Sequence, residues 1–353
     1  MWTPLPTLHF ARRLARRPAR DLRERAEAIW EISAPETSVE QPAIFLPDQL
    51  ERVTGWAFAS EHPRAAMMGG REIIHRPTSA YLLRDAMLID GVLYKDDACW
   101  HLQPQTRRLP QMRVEQEIAR GAVYCTSQGN KYFGNWLMDD CATYPLAVAE
   151  GTPVTTGQPV TVHTPAYEHW LGMNPERVTA ARIRELVIFE DIGQNTSKHR
   201  RCRAMGEALR GHLDTVAPHP GVFVLRGRTG MQRLLRNEVE LAERLRDRRG
   251  FRILDPVKAD VPTIVATCAG ARAVVGVEGS GLMHGILHLP AGGSVVALQP
   301  ANRFVRVYKD LTDRDGQHFA FVVAAMEPNG DFTIDGDELE RTLDLLPAVA
   351  AGA

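Results

Sequence analysis

Residues 273–284 read Ala-Val-Val-Gly-Val-Glu-Gly-Ser-Gly-Leu-Met-His, an apolar run that breaks into glycines and then enters a second apolar stretch. The first part is typical of a buried strand, and the glycines are typical of a turn into a helix. Amide N–H groups at a helix start bind phosphate, because they have no partner within the helix and carry partial positive charge. The stretch therefore predicts either a phosphate site at a strand end or a tight turn that binds nothing.

Two polar side chains in the same stretch favour the phosphate site. Glu278 stands at the mouth of the turn and His284 on the first turn of the expected helix. A carboxylate and an imidazole are costly in a bend that serves structure alone. We therefore expect Gly279, Ser280, Gly281 and His284 to contact a phosphorylated ligand, with Glu278 close to the reacting group.

Three known motifs begin in a similar way but do not fit the spacing. The dinucleotide fingerprint requires a third glycine where His284 stands. A hydrolase elbow centred on Ser280 requires a glycine two positions later, where Leu282 stands. A zinc-protease helix requires a glutamate after the first histidine, where Gly285 stands. Nicotinamide, serine-hydrolase and zinc chemistry are thus poor fits, and we interpret His288 as a residue of the core or one that supports the site.

The surrounding sequence alternates strand and helix patterns with short connections. This order predicts a parallel sheet covered on both faces, whose ligands lie at the carboxyl ends of its strands. The expected strands are 222–225, 251–254, 273–277 and 294–298, and the expected helices are 234–248, 264–271 and 282–287.

Basic residues follow the first of these strands. Arg228 and Arg233 lie in the loop after the strand, and Asn237 and Glu238 lie in the early turns of the next helix. Arginines at such a place bind a pyrophosphate through paired hydrogen bonds and neutralise a departing diphosphate without a metal. The alternative, a solvated basic helix face, explains the arginines within 240–249 better than it explains Arg228. We expect all four residues to contact the ligand that carries this diphosphate.

A third polar stretch, Gly-Asn-Lys-Tyr-Phe-Gly-Asn-Trp-Leu-Met-Asp-Asp at 129–140, leads into a helix of the first half of the chain. Asp139 is placed to accept a proton from an acceptor hydroxyl. Asn130, Asn135 and Trp136 are expected on the acceptor side. For at least one of the two aspartates, stabilisation of the helix N-terminus is the alternative role.

Two acidic pairs near the C-terminus have the spacing of metal ligands. Asp313 and Asp315 form the first pair, and Asp335 and Asp337 form the second, directly before the expected helix 338–346. Capping of helices and turns explains both pairs at lower cost than magnesium does. No metal site is therefore expected.

Composition narrows the classes of function. The 353 residues suffice for two lobes with a cleft between them, and 42 Lys plus Arg against 43 Asp plus Glu give no field that would gather nucleic acid. The five cysteines are scattered and never form a Cys-x-x-Cys pair, which favours reduced, mostly buried thiols. No apolar run approaches the roughly 20 residues of a membrane span, and no signal peptide is recognisable, so we expect a cytoplasmic protein.

The pattern along the chain predicts four regions. A basic helical segment occupies 1–40, and its arginines either pair with nearby acids or contact anionic lipid at the inner face of the membrane. An acceptor-side lobe occupies 41–215, beginning with a β-rich meander that turns at Asp90-Gly91. A donor-binding lobe occupies 216–335, and a helix and tail occupy 336–353. The acceptor-side lobe has expected strands at 122–126, 160–163 and 186–189 and an expected helix at 136–150.

Three of these stretches, in this order, resemble glycosyltransferase family 61. The family pattern Gly-His-Trp-Leu-x-Asp corresponds to 134–139, Ile-Ser-Arg with Arg-x-x-x-Asn-Glu corresponds to 225–238, and Val-Gly-x-His-Gly-Ala-Gly-Leu corresponds to 275–282. The resemblance covers roughly residues 120–300. Asn135 and Glu278 replace two of the family's histidines, so the proton acceptor is either Asp139 or Glu278, or chemistry is lost.

The resemblance implies a GT-B fold with two Rossmann-like lobes, and inverting transfer without an obligatory metal or other cofactor. The expected substrates are a nucleotide-sugar, with UDP as the expected nucleotide, and a glycan acceptor of a bacterial capsule, lipopolysaccharide or exopolysaccharide. Two alternatives stay open. One is a non-catalytic protein of the same fold that binds a glycan or a partner, and the other is a different α/β enzyme that acts on a phosphorylated substrate.

Overall fold

The computed structural model describes residues 2–58, 62–105, 112–114, 116–157, 159, 161–228 and 234–348. Within these residues the chain is a mixed α/β protein with several sheets. It divides into two compact units, each made of two segments. The first unit contains Met1–Pro35 and Arg76–Gly193, and the second contains Glu36–His75 and Gln194–Ala353.

The elements are numbered in chain order. The strands are β1 (Trp2–Thr3), β2 (Ala28–Ser33), β3 (Glu36–Val39), β4 (Glu72–His75), β5 (Thr78–Ile89), β6 (Val92–Lys95), β7 (Ala98–His101), β8 (Met112–Arg113), β9 (Gln116–Val123), β10 (Thr152–Thr156), β11 (Glu176–Val178), β12 (Ala180–Glu190), β13 (Val222–Val224), β14 (Arg252–Leu254), β15 (Ala273–Val277), β16 (Ser294–Pro300), β17 (His318–Met326) and β18 (Phe332–Thr333). The helices are α1 (Leu5–Leu14), α2 (Pro63–Met68), α3 (Phe133–Asn135), α4 (Cys141–Glu150), α5 (Thr164–Trp170), α6 (Thr196–Arg210), α7 (Glu238–Arg249), α8 (Val261–Cys268), α9 (Met283–Ile286), α10 (Val307–Asp315) and α11 (Gly336–Asp344). Short 3₁₀ turns cover Leu22–Arg25 and Ser280–Leu282.

The first unit is built on one mixed sheet in the order β11-β10-β9-β12-β5-β6-β7. Strands β9 to β12 run parallel, and β5 joins β12 in the antiparallel direction. The hairpin between β5 and β6 turns at Asp90 and Gly91, both with positive φ, as the Asp-Gly pair predicts. The core of the first unit contains apolar side chains from the central strands of this sheet, among them Leu83, Ile118 and Ile183.

The second unit is built on a six-stranded sheet in the order β14-β13-β15-β16-β17-β18. Its first five strands are parallel, and β18 adds an antiparallel edge. Both faces are covered, so β15 and β16 are buried at every position, which is why they appear in the sequence as continuous apolar runs. The predicted alternation of strand and helix in this part of the chain is confirmed.

Residues 36–75 pack with the second unit, although the sequence-based boundaries assign most of them to the acceptor-side lobe. Ile44 pairs with the backbone of β17, donating to Phe319 O at 2.8 Å and accepting from Phe321 N at 3.2 Å. Glu40 is buried beside Arg306, with 3.0 Å between Oε1 and Nη2. These contacts join segments more than 250 residues apart, which no local pattern in the sequence indicates.

Individual elements differ from the expectation in the first unit. The strand expected at 160–163 is wrong: the chain forms β10 earlier, and residues 161–163 form a bend and turn. The expected helix over 136–150 starts at Phe133 and contains a π turn at Trp136–Asp140, in which Cys141 donates to Trp136 O. Pro145 lies inside the same helix and cannot donate a backbone hydrogen bond.

Candidate functional site

The order of the parallel strands in the second unit creates a switch point between β13 and β15. The chain moves outward from β13 to β14 and then returns to the other side of β13 to form β15. Residues Val224 and Gly276 are register partners, so the segments that follow the two strands emerge side by side. A crevice at such a switch point is where open α/β sheets bind ligands. The glycine turn and the arginine loop of the sequence analysis are the two segments that meet there.

The turn after β15 is held from two sides. Arg226 donates from Nη1 to the carbonyl of Glu278 at 2.9 Å, and its guanidinium passes so close to Gly279 that a Cβ on Gly279 would overlap it. The Tyr308 hydroxyl accepts from Gly279 N at 2.5 Å and donates to Gly279 O at 3.1 Å. The amide of Gly279, which was predicted to bind phosphate, therefore already bonds to Tyr308. Position 279 requires glycine because the Arg226 guanidinium leaves no room for a side chain.

The next two residues of the turn remain accessible. Ser280 and Gly281 are half-buried, and among the described residues no acceptor bonds to their amide N–H groups. A Cβ on Gly281 would meet only Val224, in ordinary contact at 3.8 Å. These two amides begin the 3₁₀ turn and carry the partial positive charge of a helix start. They are the part of the predicted phosphate site that can receive an anion.

Glu238 organises the loop after β13. Its buried carboxylate accepts from Arg226 N at 2.7 Å and from Gly227 N at 2.8 Å. Burial raises the pKa of Glu238, although the two amides oppose that change. Glu238, which was expected to touch the donor, thus contacts the protein backbone and fixes the loop that carries Arg228.

The remaining predicted donor contacts have different surroundings. Arg228 is exposed and forms no ion pair with any residue in the described part of the chain. Arg233 lies outside the described residues. Asn237 donates to Ile334 O at 2.8 Å and accepts from Ile334 N at 3.3 Å, so its side-chain amide bridges the backbone. His284 is 3% exposed, on the face of α9 directed into the protein.

Glu278 is held in a buried ion pair. Its Oε1 lies 2.8 Å from Nη1 of Arg303, and its side chain is 3% exposed. The Arg303 guanidinium also lies over the ring of Phe58, 5.6 Å from the centroid. A carboxylate so enclosed orients an arginine at the edge of the site more readily than it reaches an acceptor hydroxyl.

The sequence analysis missed Arg303 and Tyr308. Both follow β16, the next parallel strand beside β15, so they are placed at the same edge of the sheet. The signal that could have found them is the rule that the carboxyl ends of neighbouring parallel strands share one edge. Neither residue belongs to a local motif.

In the first unit, one of the two aspartates of the polar stretch is structural. Asp140 is fully buried and accepts from Thr126 N at 3.1 Å and from Thr126 Oγ1 at 2.9 Å. A Cβ on Gly129 would overlap its carboxylate. Asp140 therefore closes the loop that follows β9, which requires a glycine at 129.

Asp139 faces a different environment. It is half-buried and accepts from Asn135 Nδ2 at 3.1 Å. The residues expected on the acceptor side make internal contacts: Asn130 donates to Leu102 O at 3.0 Å, and Trp136 is 3% exposed in an aromatic cluster with Phe133. Asn135 thus positions the Asp139 carboxylate, while Asn130 and Trp136 hold the loop and the helix in place.

The acidic pairs near the C-terminus have separate roles. Asp335 caps α11 by accepting from Asp337 N at 2.8 Å, as predicted. The capping role expected of the first pair is wrong: Asp313 pairs with Lys309, and Asp315 pairs with His199 at 2.9 Å, within the last turn of α10. Within the described ranges no three His, Cys, Asp or Glu side chains are grouped to hold a metal ion.

Two further expectations concern the whole chain. All five cysteines are free, and four of them are buried, as predicted. Among the described residues no helix combines the length and the apolar character that a bilayer crossing requires.

A comparison of the chain with models of protein families gives a match. The family described as Glycosyltransferase 61 matches residues 133–296, just under half of the chain. The matched segment begins at α3, ends within β16, and contains Asp139, Arg228 and the glycine turn at 279–281. No curated protein matches the chain. The match supports the class of glycosyltransferase, with a nucleotide-sugar and a glycan acceptor as its general kinds of substrate.

Proposed function

We propose that this chain is an inverting, metal-independent glycosyltransferase that moves a sugar from a nucleotide donor to a glycan acceptor in the synthesis of a bacterial surface polysaccharide. The observation that carries the proposal is the switch point of the second sheet, which lies within the segment that resembles family 61. We further propose that the two units are the two lobes of a GT-B enzyme and that the protein works in the cytoplasm.

The donor's diphosphate would occupy the half-exposed turn after β15. The amides of Ser280 and Gly281 would donate to one phosphate, and the exposed Arg228 would reach the other. Arg226 adds a second guanidinium. Burial lowers the pKa of Arg226, because its charge is partly removed from water. The two amides and the Arg226 guanidinium are in place before the ligand arrives, so they would stabilise the negative charge that develops on the departing nucleotide. No metal is needed for that step in this proposal.

Asp139 is the better candidate for the proton acceptor. Glu278 is enclosed and paired with Arg303, whereas Asp139 is half-buried and accepts a hydrogen bond from the side-chain amide of Asn135. In a single displacement, the base takes the proton of the acceptor hydroxyl as that oxygen forms a bond to the anomeric carbon, and the bond to the nucleotide diphosphate breaks. The electron pair of that bond leaves with the diphosphate, which the arginines receive.

A thermal-shift experiment tests the donor site. A nucleoside diphosphate at about 100 times its Kd stabilises a folded protein by about 2.7 kcal/mol, which raises the melting temperature measurably. We expect UDP or another nucleoside diphosphate to raise the melting temperature of the native chain, and Arg228→Ala to remove most of that shift. Arg200→Ala, which removes an exposed arginine from α6, is the matched control and should keep the full shift.

No shift across a panel of nucleoside diphosphates and sugar nucleotides would count heavily against the proposal. An equal shift with simple phosphate esters would instead favour an α/β enzyme that acts on another phosphorylated substrate.

A non-catalytic nucleotide-binding protein is the competing function. The observation that favours it is the buried ion pair of Glu278, the residue that stands where the family has a histidine. Such a protein would bind the donor but release no nucleotide from it. A turnover assay that follows nucleoside diphosphate release, with and without acceptor glycans, separates the two functions.

We also propose that the basic N-terminus contacts an anionic membrane surface. Helix α1 has no buried residue, and Leu8, Phe10 and Leu14 are exposed on it. Part of the basic charge is already neutralised, since Arg12, Arg20 and Arg25 pair with Asp97. Flotation with vesicles rich in anionic lipid at low salt tests the proposal, and a chain that stays in the soluble fraction would contradict it.

A further inference from the structure

A cavity of about 760 Å³ opens at the amino ends of the parallel strands in the second unit. Its lining includes residues from the segments that lead into three strands: Arg272 before β15, Ala291 before β16 and Gln317 before β17. One wall is α6, which contributes Cys202 and Arg210. Small-molecule sites have volumes of about 300–1,000 Å³, so the cavity has the size of a ligand site.

This cavity is distinct from the proposed donor site. The glycine turn lies after the carboxyl end of β15, and the cavity lies before its amino end. A five-residue strand is about 17 Å long, at about 3.3 Å per residue, and this is the separation along the sheet. A nucleotide at the switch point and a ligand in the cavity would not touch the same residues.

Within the described residues, three side chains that line the cavity have buried polar atoms without a hydrogen-bond partner: those of His288 and Gln317, and the carboxylate of Asp313, whose other oxygen pairs with Lys309. His288 is 2% exposed, and neither of its ring nitrogens bonds to any residue in the described parts of the chain. Gln317 is 5% exposed and donates to Leu289 O at 3.2 Å, while its Oε1 has no partner there. A buried polar group without a partner costs roughly 1–3 kcal/mol, so native proteins seldom keep one without a use.

The imidazole of His288 is neutral over the ordinary pH range. Burial, with a smaller contribution from the positive charge of Arg210, lowers its pKa to about 3. A neutral imidazole presents one N–H donor and one nitrogen acceptor. Together with the Gln317 oxygen it can bind hydroxyl groups, which both donate and accept.

Guanidinium groups supply positive charge at the same cavity. Arg210 is half-buried and Arg272 exposed, and neither bonds to a carboxylate among the described residues. The other lining arginines are engaged, since Arg203 pairs with Glu207 at 3.2 Å and Arg314 pairs with Asp315 at 2.6 Å. Two guanidinium groups are therefore available to an anion, and the planar fork of arginine suits carboxylate and phosphate oxygens.

We propose that this cavity is a second binding site, which takes a small hydroxylated organic anion such as a sugar phosphate or a sugar acid. Arg210 and Arg272 bind the phosphate or carboxylate, while His288 and Gln317 bind hydroxyl groups of the body. The apolar wall, which includes Ile286 and Leu289, packs against its carbon skeleton. The inference does not depend on the proposed transferase activity.

Calorimetric titration and thermal shift of the full chain test the site at constant ionic strength. The probes are a hexose phosphate, a hexuronate, inorganic phosphate and a neutral hexose. We expect the hexose phosphate or the hexuronate to bind at least tenfold more tightly than inorganic phosphate, and the neutral hexose to give no shift. Arg210→Gln should weaken binding at least tenfold, whereas Arg200→Gln on the same helix should leave it unchanged.

His288→Leu distinguishes a ligand contact from a structural role. It should weaken binding at least tenfold while the melting temperature of the unliganded chain stays the same or rises, because an unpartnered polar group is removed. Arg228→Ala should leave this binding unchanged, which keeps the result separate from the donor site. The inference is overturned if no organic anion binds, if binding survives both Arg210→Gln and His288→Leu, or if His288→Leu lowers the melting temperature of the unliganded chain.

Discussion

The two ends of the parallel sheet in the second unit satisfy their polar groups in different ways. At the carboxyl end, Glu238 binds two backbone amides, Glu278 pairs with Arg303, and Asn237 bridges the backbone of Ile334. At the amino end, His288 keeps both ring nitrogens without partners within the described residues. At the carboxyl end, most polar side chains of the motifs bond to the protein itself, and the amides of Ser280 and Gly281 stay accessible. At the amino end, a cavity is lined by a histidine whose ring nitrogens have no partner among the described residues.

This difference shows that the residues of a sequence motif are not the same set as the residues that contact a ligand. Most polar residues of the motifs at the carboxyl end hold loops in place, so the motif marks a frame as well as the ligand contacts. The amino end has no motif, yet it contains His288, whose ring nitrogens are buried and bond to no residue in the described part of the chain. A buried polar group without a hydrogen bond destabilises the folded chain, so its presence indicates a ligand. A local sequence pattern does not show which buried groups will lack a partner.

The largest effect is expected from Asp139→Asn, which tests whether the proton acceptor comes from the first unit and not from Glu278 at the carboxyl end of the second unit's sheet. A positioned general base contributes about 10²–10⁴-fold to a rate, so the rate of sugar transfer should fall by about that factor. Nucleotide binding measured by thermal shift should persist. Asp214→Asn, at an exposed position, is the control. Equal transfer rates for the native chain and Asp139→Asn would remove Asp139 from the mechanism.

A smaller effect, on stability and binding together, is expected from Gly279→Ala. The added methyl group would displace the Arg226 guanidinium from the carbonyl of Glu278, and the native φ of 157° suits glycine. We expect a loss of about 1–3 kcal/mol in the free energy of unfolding, measured with denaturant, and a weaker response to nucleotide. Gly281→Ala has room for its methyl group and should change stability by less than about 0.5 kcal/mol. Equal losses for the two variants would show that the turn is not held by Arg226.

The third effect concerns the amino end, where the free energy of unfolding should depend on pH. The unfolded imidazole takes up a proton near pH 6.5, whereas burial keeps His288 neutral in the folded chain to a pH of about 3, its folded pKa. Because the unfolded state binds more protons in this window, stability should fall as the pH falls from about 6.5 toward 3, by up to about 1.4 kcal/mol per pH unit from this residue.

Denaturant unfolding of the native chain and of His288→Leu, between pH 4.5 and 7, measures that contribution as a difference of slopes. The other titratable groups at the cavity are present in both chains and cancel in the comparison; they are His199, Arg203, Arg210, Arg272, Asp313, Arg314 and Asp315. Parallel curves for the two chains would mean that His288 takes up its proton in the folded state near the normal pH.

Much of the second unit was predictable because its signals are local. The apolar run at 273–277 is β15 as predicted, and Asp335 caps α11, since a strand and a cap each depend on residues only a few positions apart.

In the first unit, the prediction of a strand at 160–163 was wrong because a short apolar run does not by itself specify pairing. For the candidate site, the sequence indicated the turn and the loop but not that Glu238 serves the backbone.

Local patterns in the sequence were enough to predict the order of strands and helices in the second unit, the glycine turn at 279–281 and the free, mostly buried cysteines. Contacts between distant segments set three other features: Tyr308 occupies an amide of the turn, residues 36–75 pack on β17, and His288 beside the cavity has no hydrogen-bond partner among the described residues. The physical reason is range. Periodicity, caps and turns arise between neighbours in the chain, whereas the partner of a buried polar group depends on which distant segments the sheet brings to the same edge.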